Sequence, residues 1–79
     1  MATKMSTKPR ALIVVSDDLV EIYSPYHEKF VVELKEGIPS DDRIWNPDKK
    51  IWEISGDMYE EALSISLRYF DVVVDICKK

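Results

Sequence analysis

The chain of 79 residues has few of the residue types from which metal and catalytic sites are built. It has one cysteine (Cys77), one histidine (His27) and two glycines, Gly37 and Gly56. A lone cysteine excludes an internal disulfide and is typical of a reducing compartment, so we expect a cytoplasmic protein. One cysteine and one histidine do not supply a structural zinc site, and two separated glycines do not form a phosphate-binding loop. We therefore expect no metal and no cofactor.

Long apolar runs are also lacking. No stretch approaches the roughly 20 apolar residues of a membrane-spanning helix. The lysines near the N-terminus are not followed by the apolar segment of a secretory signal, so no membrane association is expected. Residues 1–8 lack apolar periodicity and are predicted to form a flexible tail. Residues 9–79 are predicted to form one small domain.

Basic side chains are outnumbered by acidic ones, 11 to 15. Lys4, Lys8 and Arg10 fall in residues 1–10, which carry no acid, so residues 11–79 have a net charge of −7. Such an acidic body binds phosphate backbones poorly, because this binding depends on neutralisation by lysine and arginine. Any nucleic-acid site must therefore be confined to one face.

The apolar pattern predicts the element order β-β-α-β-β-α-β. Two helices on one face of a mostly antiparallel sheet would make a two-layer α+β domain. The first two strands are predicted as a hairpin over residues 10–23, and the last strand over 72–76. Residues 19–76 alone follow the ferredoxin-like order, in which the first strand has neighbours on both sides. Either the hairpin or the ferredoxin-like pairing must then be wrong.

Capping signals predict where the two helices begin and end. Ser24 as N-cap and Pro25 at the first helical position predict the start of the first helix. Gly37 is expected to end it in a left-handed conformation. Asp57 and Glu60 match a capping box at the start of the second helix. The predicted inner face of that helix consists of Tyr59, Ala62, Leu63, Ser66, Leu67 and Phe70.

Both tryptophans lie in a second predicted hairpin, whose turn at residues 46–49 (Asn-Pro-Asp-Lys) has the sequence of a type I turn. If Asn46 faces Lys50, then Trp45 pairs with Ile51. Side chains alternate along each strand, so the hairpin has one covered and one open face. Ile44, Trp52 and Ile54 are expected on the covered face, and Arg43, Trp45, Ile51 and Glu53 on the open one. A slip of one residue would reverse the position of Trp45.

No reactive side chain has a partner in the sequence, and we expect no enzymatic activity. His27 is expected to face solvent or form a local hydrogen bond, and Cys77 to be a small buried side chain. Acid pairs at residues 17–18, 41–42 and 60–61 are expected to be solvated. An open sheet face carrying tryptophan beside arginine instead suits base stacking, a phosphate contact or protein binding.

A pattern over residues 26–70 carries a family resemblance. It consists of a helix with Phe30 and Leu34-Lys35, then Ile38-Pro39, Arg43-Ile44-Trp45-Asn46-Pro47, Lys49 and Lys50, and Trp52-Glu53-Ile54. This pattern resembles the HARP domain, the HepA-related module that precedes the motor in annealing helicases. Related stand-alone domains occur among small phage and prokaryotic proteins. The resemblance implies binding to DNA forks or single-strand/double-strand junctions, without catalysis by the module itself. Its candidate contacts are Arg43, Lys35, Lys49 and Lys50, with Trp45 as a stacking group.

The functional expectation is a non-enzymatic accessory module that binds structured DNA beside a helicase or another replication, repair or recombination protein. The alternative is a protein-interaction adaptor or phage-type inhibitor whose acidic surface meets a basic partner and which binds no DNA. Homodimerisation through the open sheet face or the terminal strand is left open by the sequence.

Overall fold

The protein's structure, a computed structural model, describes residues 8–77. Within these residues, five strands form one sheet in the order β3-β4-β2-β1-β5, and two α-helices complete the fold. The elements are β1 (Arg10–Ser16), β2 (Leu19–Tyr23), α1 (Glu28–Gly37), β3 (Arg43–Asn46), β4 (Ile51–Ser55), α2 (Tyr59–Tyr69) and β5 (Asp71–Ile76). All the strand pairs of this sheet are antiparallel except β1 with β5. The predicted α+β class and element order are confirmed.

The predicted first hairpin lies in the middle of the sheet. β1 pairs with β2 on one side and with β5 on the other. β2 also pairs with β4, and β4 pairs with the edge strand β3. The hairpin is therefore correct, and the ferredoxin-like pairing of the last strand with β2 is wrong because β1 lies between them. The other ferredoxin-like neighbours are retained.

Both helices pack on the same face of the sheet. The strand residues of the buried core are Ala11, Ile13, Val20, Ile22, Trp52 and Ile54, which alternate along their strands. α1 contributes Phe30 and Leu34 to this core, and α2 contributes Ala62 and Ile65. Leu67, predicted on the inner face of α2, is exposed instead. Burial of each large apolar side chain stabilises the fold by about 1.5–3 kcal/mol, so this face holds the domain together.

The predicted caps of the helices are wrong. His27, not Ser24, is the N-cap of α1, and its Nδ1 accepts the N–H of Phe30 at 3.3 Å. The His27 ring also packs against Tyr69, with ring centroids 4.6 Å apart, which favours this later start. α2 has Met58 as N-cap without a side-chain hydrogen bond, because a short 3₁₀ turn at Gly56–Met58 replaces the capping box.

Gly37 ends α1 but does not have the predicted left-handed conformation, since no glycine of the described residues has a positive φ. A Cβ at Gly37 would lie 2.9 Å from Cδ1 of Ile65 in α2. That separation is shorter than van der Waals contact. The terminal methyl group of Ile65 would have to shift to make room for a larger residue at this position.

The two ends of the described chain are tied to the rest of the domain by hydrogen bonds. Cys77 is exposed rather than buried, and its N–H donates to the Val15 carbonyl at 2.7 Å. The predicted tail lies outside the described residues except for Lys8, whose ammonium donates to the Leu67 carbonyl at 3.1 Å. Within residues 8–77, no helix has the length and apolarity needed to cross a membrane.

Candidate binding site

The loop between β3 and β4 determines where the tryptophans lie. The Asn46 carbonyl accepts the N–H of Lys50 at 2.7 Å, and its Oδ1 accepts the N–H groups of Asp48 and Lys49 at 3.0 and 3.1 Å. Lys50 has a φ of 60°, a left-handed backbone conformation that residues other than glycine rarely adopt. Lys50 therefore belongs to the loop, and Asn46 pairs with Ile51.

This loop shifts the strand pairing by one residue from the predicted register. Trp45 pairs with Trp52, and Ile44 pairs with Glu53. Since successive side chains point to opposite faces, the shift moves Trp45 and Arg43 to the face covered by the helices. Ile44 takes the open face, where 63% of it is exposed. The predicted position of Trp45 beside Ile51 on the open face is therefore wrong.

Trp45 nevertheless remains 45% exposed, because β3 is an edge strand. Its indole lies against that of Trp52, with ring centroids 5.3 Å apart and planes inclined at 59°. Both rings line a groove of about 470 Å³. The lining residues are Ile22, Ser24, Pro25, Tyr26, His27, Phe30, Val31, Trp45, Lys50 and Trp52. This volume falls in the range of sites that hold a small ligand or a single inserted group.

The groove differs in character from the acidic remainder of the domain. Its lining is mainly aromatic and aliphatic, and it includes Lys50 but no aspartate or glutamate. Tyr26 and Trp45 are exposed, whereas Phe30 and Trp52 are buried beneath them. Flat exposed rings over an apolar floor, with one cation at the side, suit a planar or apolar group that carries negative charge nearby.

The structure brings only some of the predicted contacts together. Trp45 and Lys50 both line the groove, and the exposed Lys49 is adjacent on the same loop. Arg43 is half-buried on β3, and its Nε donates to the Ile38 carbonyl at 2.8 Å, which ties the hairpin to the end of α1. Lys35 is exposed in the last turn of α1 and does not line the groove.

Sequence reasoning missed the contribution of the segment before α1. Pro25, Tyr26 and His27 form part of the groove wall. Two aromatic residues around a proline, Tyr23 and Tyr26, are a signal for this wall, whereas the capping pattern predicts that the segment is the first turn of a helix. His27 acts as the local hydrogen-bond acceptor that was one of its two expected roles.

A polar contact fixes α1 to α2 beside the groove. The hydroxyl of Tyr69 and the guanidinium of Arg68 both donate to the carboxylate of Glu33. The Tyr69 hydroxyl, and then Arg68, hold the pKa of Glu33 below its usual range. The same hydrogen bond raises the pKa of Tyr69. Since Tyr69 also packs against His27 and Phe30, this contact supports the groove wall and its floor.

Comparisons with protein-family models, with curated proteins and with solved structures found no match. The resemblance to the HARP domain therefore stays a prediction from the sequence.

Proposed function

We propose that this chain is a non-enzymatic module that binds single-stranded or forked DNA through the groove. The observation that carries the proposal is the position of Trp45, which is 45% exposed and lines the groove together with Lys50. The HARP-like pattern supports the same ligand, because Trp45, Lys49 and Lys50 are among the residues that carry it. A helicase or another replication, repair or recombination protein is the proposed partner.

Stacking supplies the first part of the binding energy. Trp45 and Tyr26 present exposed rings at the groove, and an unpaired base stacks on such a ring with about 1–3 kcal/mol. A base within a duplex is already stacked on its neighbours and does not reach a groove of this kind. The proposal therefore favours single strands and forks over blunt duplex.

Charge supplies the second part of the binding energy and also limits the affinity for DNA. Lys49 and Lys50 are both exposed on the loop beside the groove, where they can contact the phosphates that flank the inserted base. The net charge of the chain is −4, so phosphates elsewhere on the surface are repelled. Two neutralised phosphates of a single strand correspond to a slope of about −1.4 in log affinity against log salt.

The test is fluorescence anisotropy with labelled single-stranded, forked and blunt duplex DNA at several salt concentrations. Lys50→Asn removes the charge and keeps the left-handed backbone, which asparagine tolerates. We expect this variant to weaken single-strand binding and to make the salt slope shallower by about 0.7. Lys29→Gln, an exposed lysine of α1 outside the groove, is the matched control and should leave binding unchanged.

Two results would overturn the proposal. One is the absence of binding to all three DNA forms at low salt, and the other is an equal loss of affinity in Lys50→Asn and Lys29→Gln. Lys35→Gln tests a separate point, since a loss in that variant would extend the contact along α1.

A second candidate function is the capture of an apolar side chain from a partner protein. The floor of the groove is formed by Ile22, Phe30 and Val31, which offer apolar surface and no hydrogen-bonding side chain. Binding of a peptide would depend on Trp45 but not on the charge of Lys50. Loss of binding in Trp45→Ala with full binding in Lys50→Asn would therefore favour a peptide over DNA.

A further inference from the structure

Within residues 8–77, both helices pack on one face of the sheet, and the opposite face has no helix on it. Core strand residues alternate along β1, β2 and β4, and the residues between them point away from both helices. In the register of the sheet, one row of this outer face contains Ile44, Glu53, Glu21, Val14 and Asp75. The neighbouring row contains Tyr23, Leu12 and Val73. This outer face lies on the opposite side of the sheet from the groove.

Apolar side chains occupy much of the outer face. Ile44, Leu12 and Val73 are 63%, 36% and 55% exposed, and Val14 is half-buried. Leu12, Val14 and Val73 lie on the neighbouring strands β1 and β5, whereas Ile44 lies on the opposite edge strand, beyond Glu53 and Glu21. An apolar sheet face is normally buried against a second layer, formed by helices or by another sheet.

Negative charge accompanies this apolar surface. Glu21 lies directly opposite Glu53 on the neighbouring strand, and Asp75 lies in the same row. Like charges directly opposite each other on a sheet destabilise it. The carboxylates accept hydrogen bonds from neutral donors, since Tyr23 donates to Glu21 at 3.4 Å and Asn46 to Glu53 at 3.0 Å. Among residues 8–77, neither carboxylate forms an ion pair, so both charges are available to a cation.

We propose that the outer face docks a basic amphipathic helix of a partner protein. Apolar residues of such a helix would cover Leu12, Val14 and Val73, while its lysine or arginine residues would meet Glu21 and Glu53. A second copy of the chain would place these carboxylates against the same carboxylates of the other copy, and the like charges would repel each other. Nucleic acid would likewise bring charge of the same sign. The charge of the face thus selects a basic partner.

The experiment uses the full chain with labelled methyl groups and two synthetic helical peptides. Both peptides carry the same leucine stripe, and their polar faces carry either lysine or glutamate. We expect the lysine peptide to shift the methyl signals of Leu12, Val14 and Val73 and to leave Val31 in the groove unchanged. We expect no such shifts with the glutamate peptide.

A matched pair of variants tests the charges. Glu21→Gln with Glu53→Gln keeps the amide oxygens as acceptors for Tyr23 and Asn46, and should weaken lysine-peptide binding on the order of tenfold. Glu36→Gln with Glu60→Gln makes the same change in net charge at exposed helix positions and should not weaken it.

Three results would overturn the proposal. They are equal binding of both peptides, equal weakening by both double variants, and shifts centred on Val31. The outer-face methyl signals could also shift with rising protein concentration in the absence of peptide. That result would show that a second copy of the chain, and not a basic partner, binds the outer face. The test of DNA binding uses variants of the groove, so a negative result at the outer face does not contradict the proposed function.

Discussion

Trp45 and Trp52 face each other directly across the pair of strands β3 and β4, on the side of the sheet that the helices cover. Their ring centroids are 5.3 Å apart. An aromatic pair in this geometry contributes about 0.5–1.5 kcal/mol beyond the area that it buries.

A double-mutant cycle measures this pair. We expect Trp52→Ala to lower the free energy of unfolding by about 3–5 kcal/mol, because Trp52 is buried. Trp45→Ala should lower it less, and urea denaturation of the single and double variants should give a coupling energy of about 0.5–1.5 kcal/mol. In the register predicted from sequence the two rings would lie on opposite faces. A coupling energy near zero would therefore contradict the observed pairing.

Capping of α1 by His27 gives a second prediction. His27→Asn keeps a side-chain acceptor for the N–H of Phe30, whereas His27→Ala removes it. Both variants lose the ring contact with Tyr69, so their difference isolates the cap. We expect the alanine variant to be less stable than the asparagine variant by about 1 kcal/mol in urea denaturation. Equal stability of the two variants would show that the cap contributes nothing measurable.

The contact of Glu33 with Tyr69 and Arg68 predicts a dependence of stability on pH at both extremes. The pKa of Glu33 is lowered from 4.5 in the folded chain, so its stabilising contribution is present above that value and is lost as pH falls through the folded-state pKa. The pKa of Tyr69 is raised from 10.0, so its contribution is present below that value and is lost as pH rises through the folded-state pKa.

Comparison with two variants over a pH series checks both statements. The stability advantage of the natural chain over Glu33→Gln should shrink in acid. Its advantage over Tyr69→Phe should shrink in alkali. A constant difference across the whole pH range would mean that these groups do not titrate differently in the folded and unfolded states.

The facing carboxylates of Glu21 and Glu53 predict a substitution that stabilises the protein. Glu21→Gln removes one of two like charges while its amide oxygen still accepts from Tyr23. We expect the free energy of unfolding to rise by about 0.2–1 kcal/mol at neutral pH. Glu36→Gln, at an exposed position of α1, is the control in the same denaturation experiment.

The fold class was predictable because its signals are local. Alternation in strands and the spacing of Phe30 and Leu34 in α1 appear within a few residues of sequence, and each proved correct in type. The register of the second hairpin was not predictable, because it depends on Lys50 adopting a left-handed backbone without being glycine. The start of α1 also depended on a distant contact, since the ring of His27 packs on Tyr69.

The groove was less predictable than the fold, for the same reason. Trp45 and Lys50 were identified from the hairpin sequence, but the opposite wall comes from Tyr26 and His27, which precede α1. The long-range pairing of β2 with β4 brings these two parts of the chain together. The composition and the residue spacing within either segment do not predict that pairing.

We expect Arg43 to position the hairpin and not to take part in the proposed DNA contact. Its Nε donates to the Ile38 carbonyl at 2.8 Å, and the side chain is half-buried, so we expect Arg43→Ala to lower the free energy of unfolding by about 1–2 kcal/mol in urea denaturation. If this bond is its main role, the folded variant should keep the DNA affinity and salt slope of the natural chain, whereas Lys50→Asn should change both with less effect on stability. A salt slope made shallower by about 0.7 in Arg43→Ala would instead identify Arg43 as a phosphate contact, as the HARP-like pattern implies.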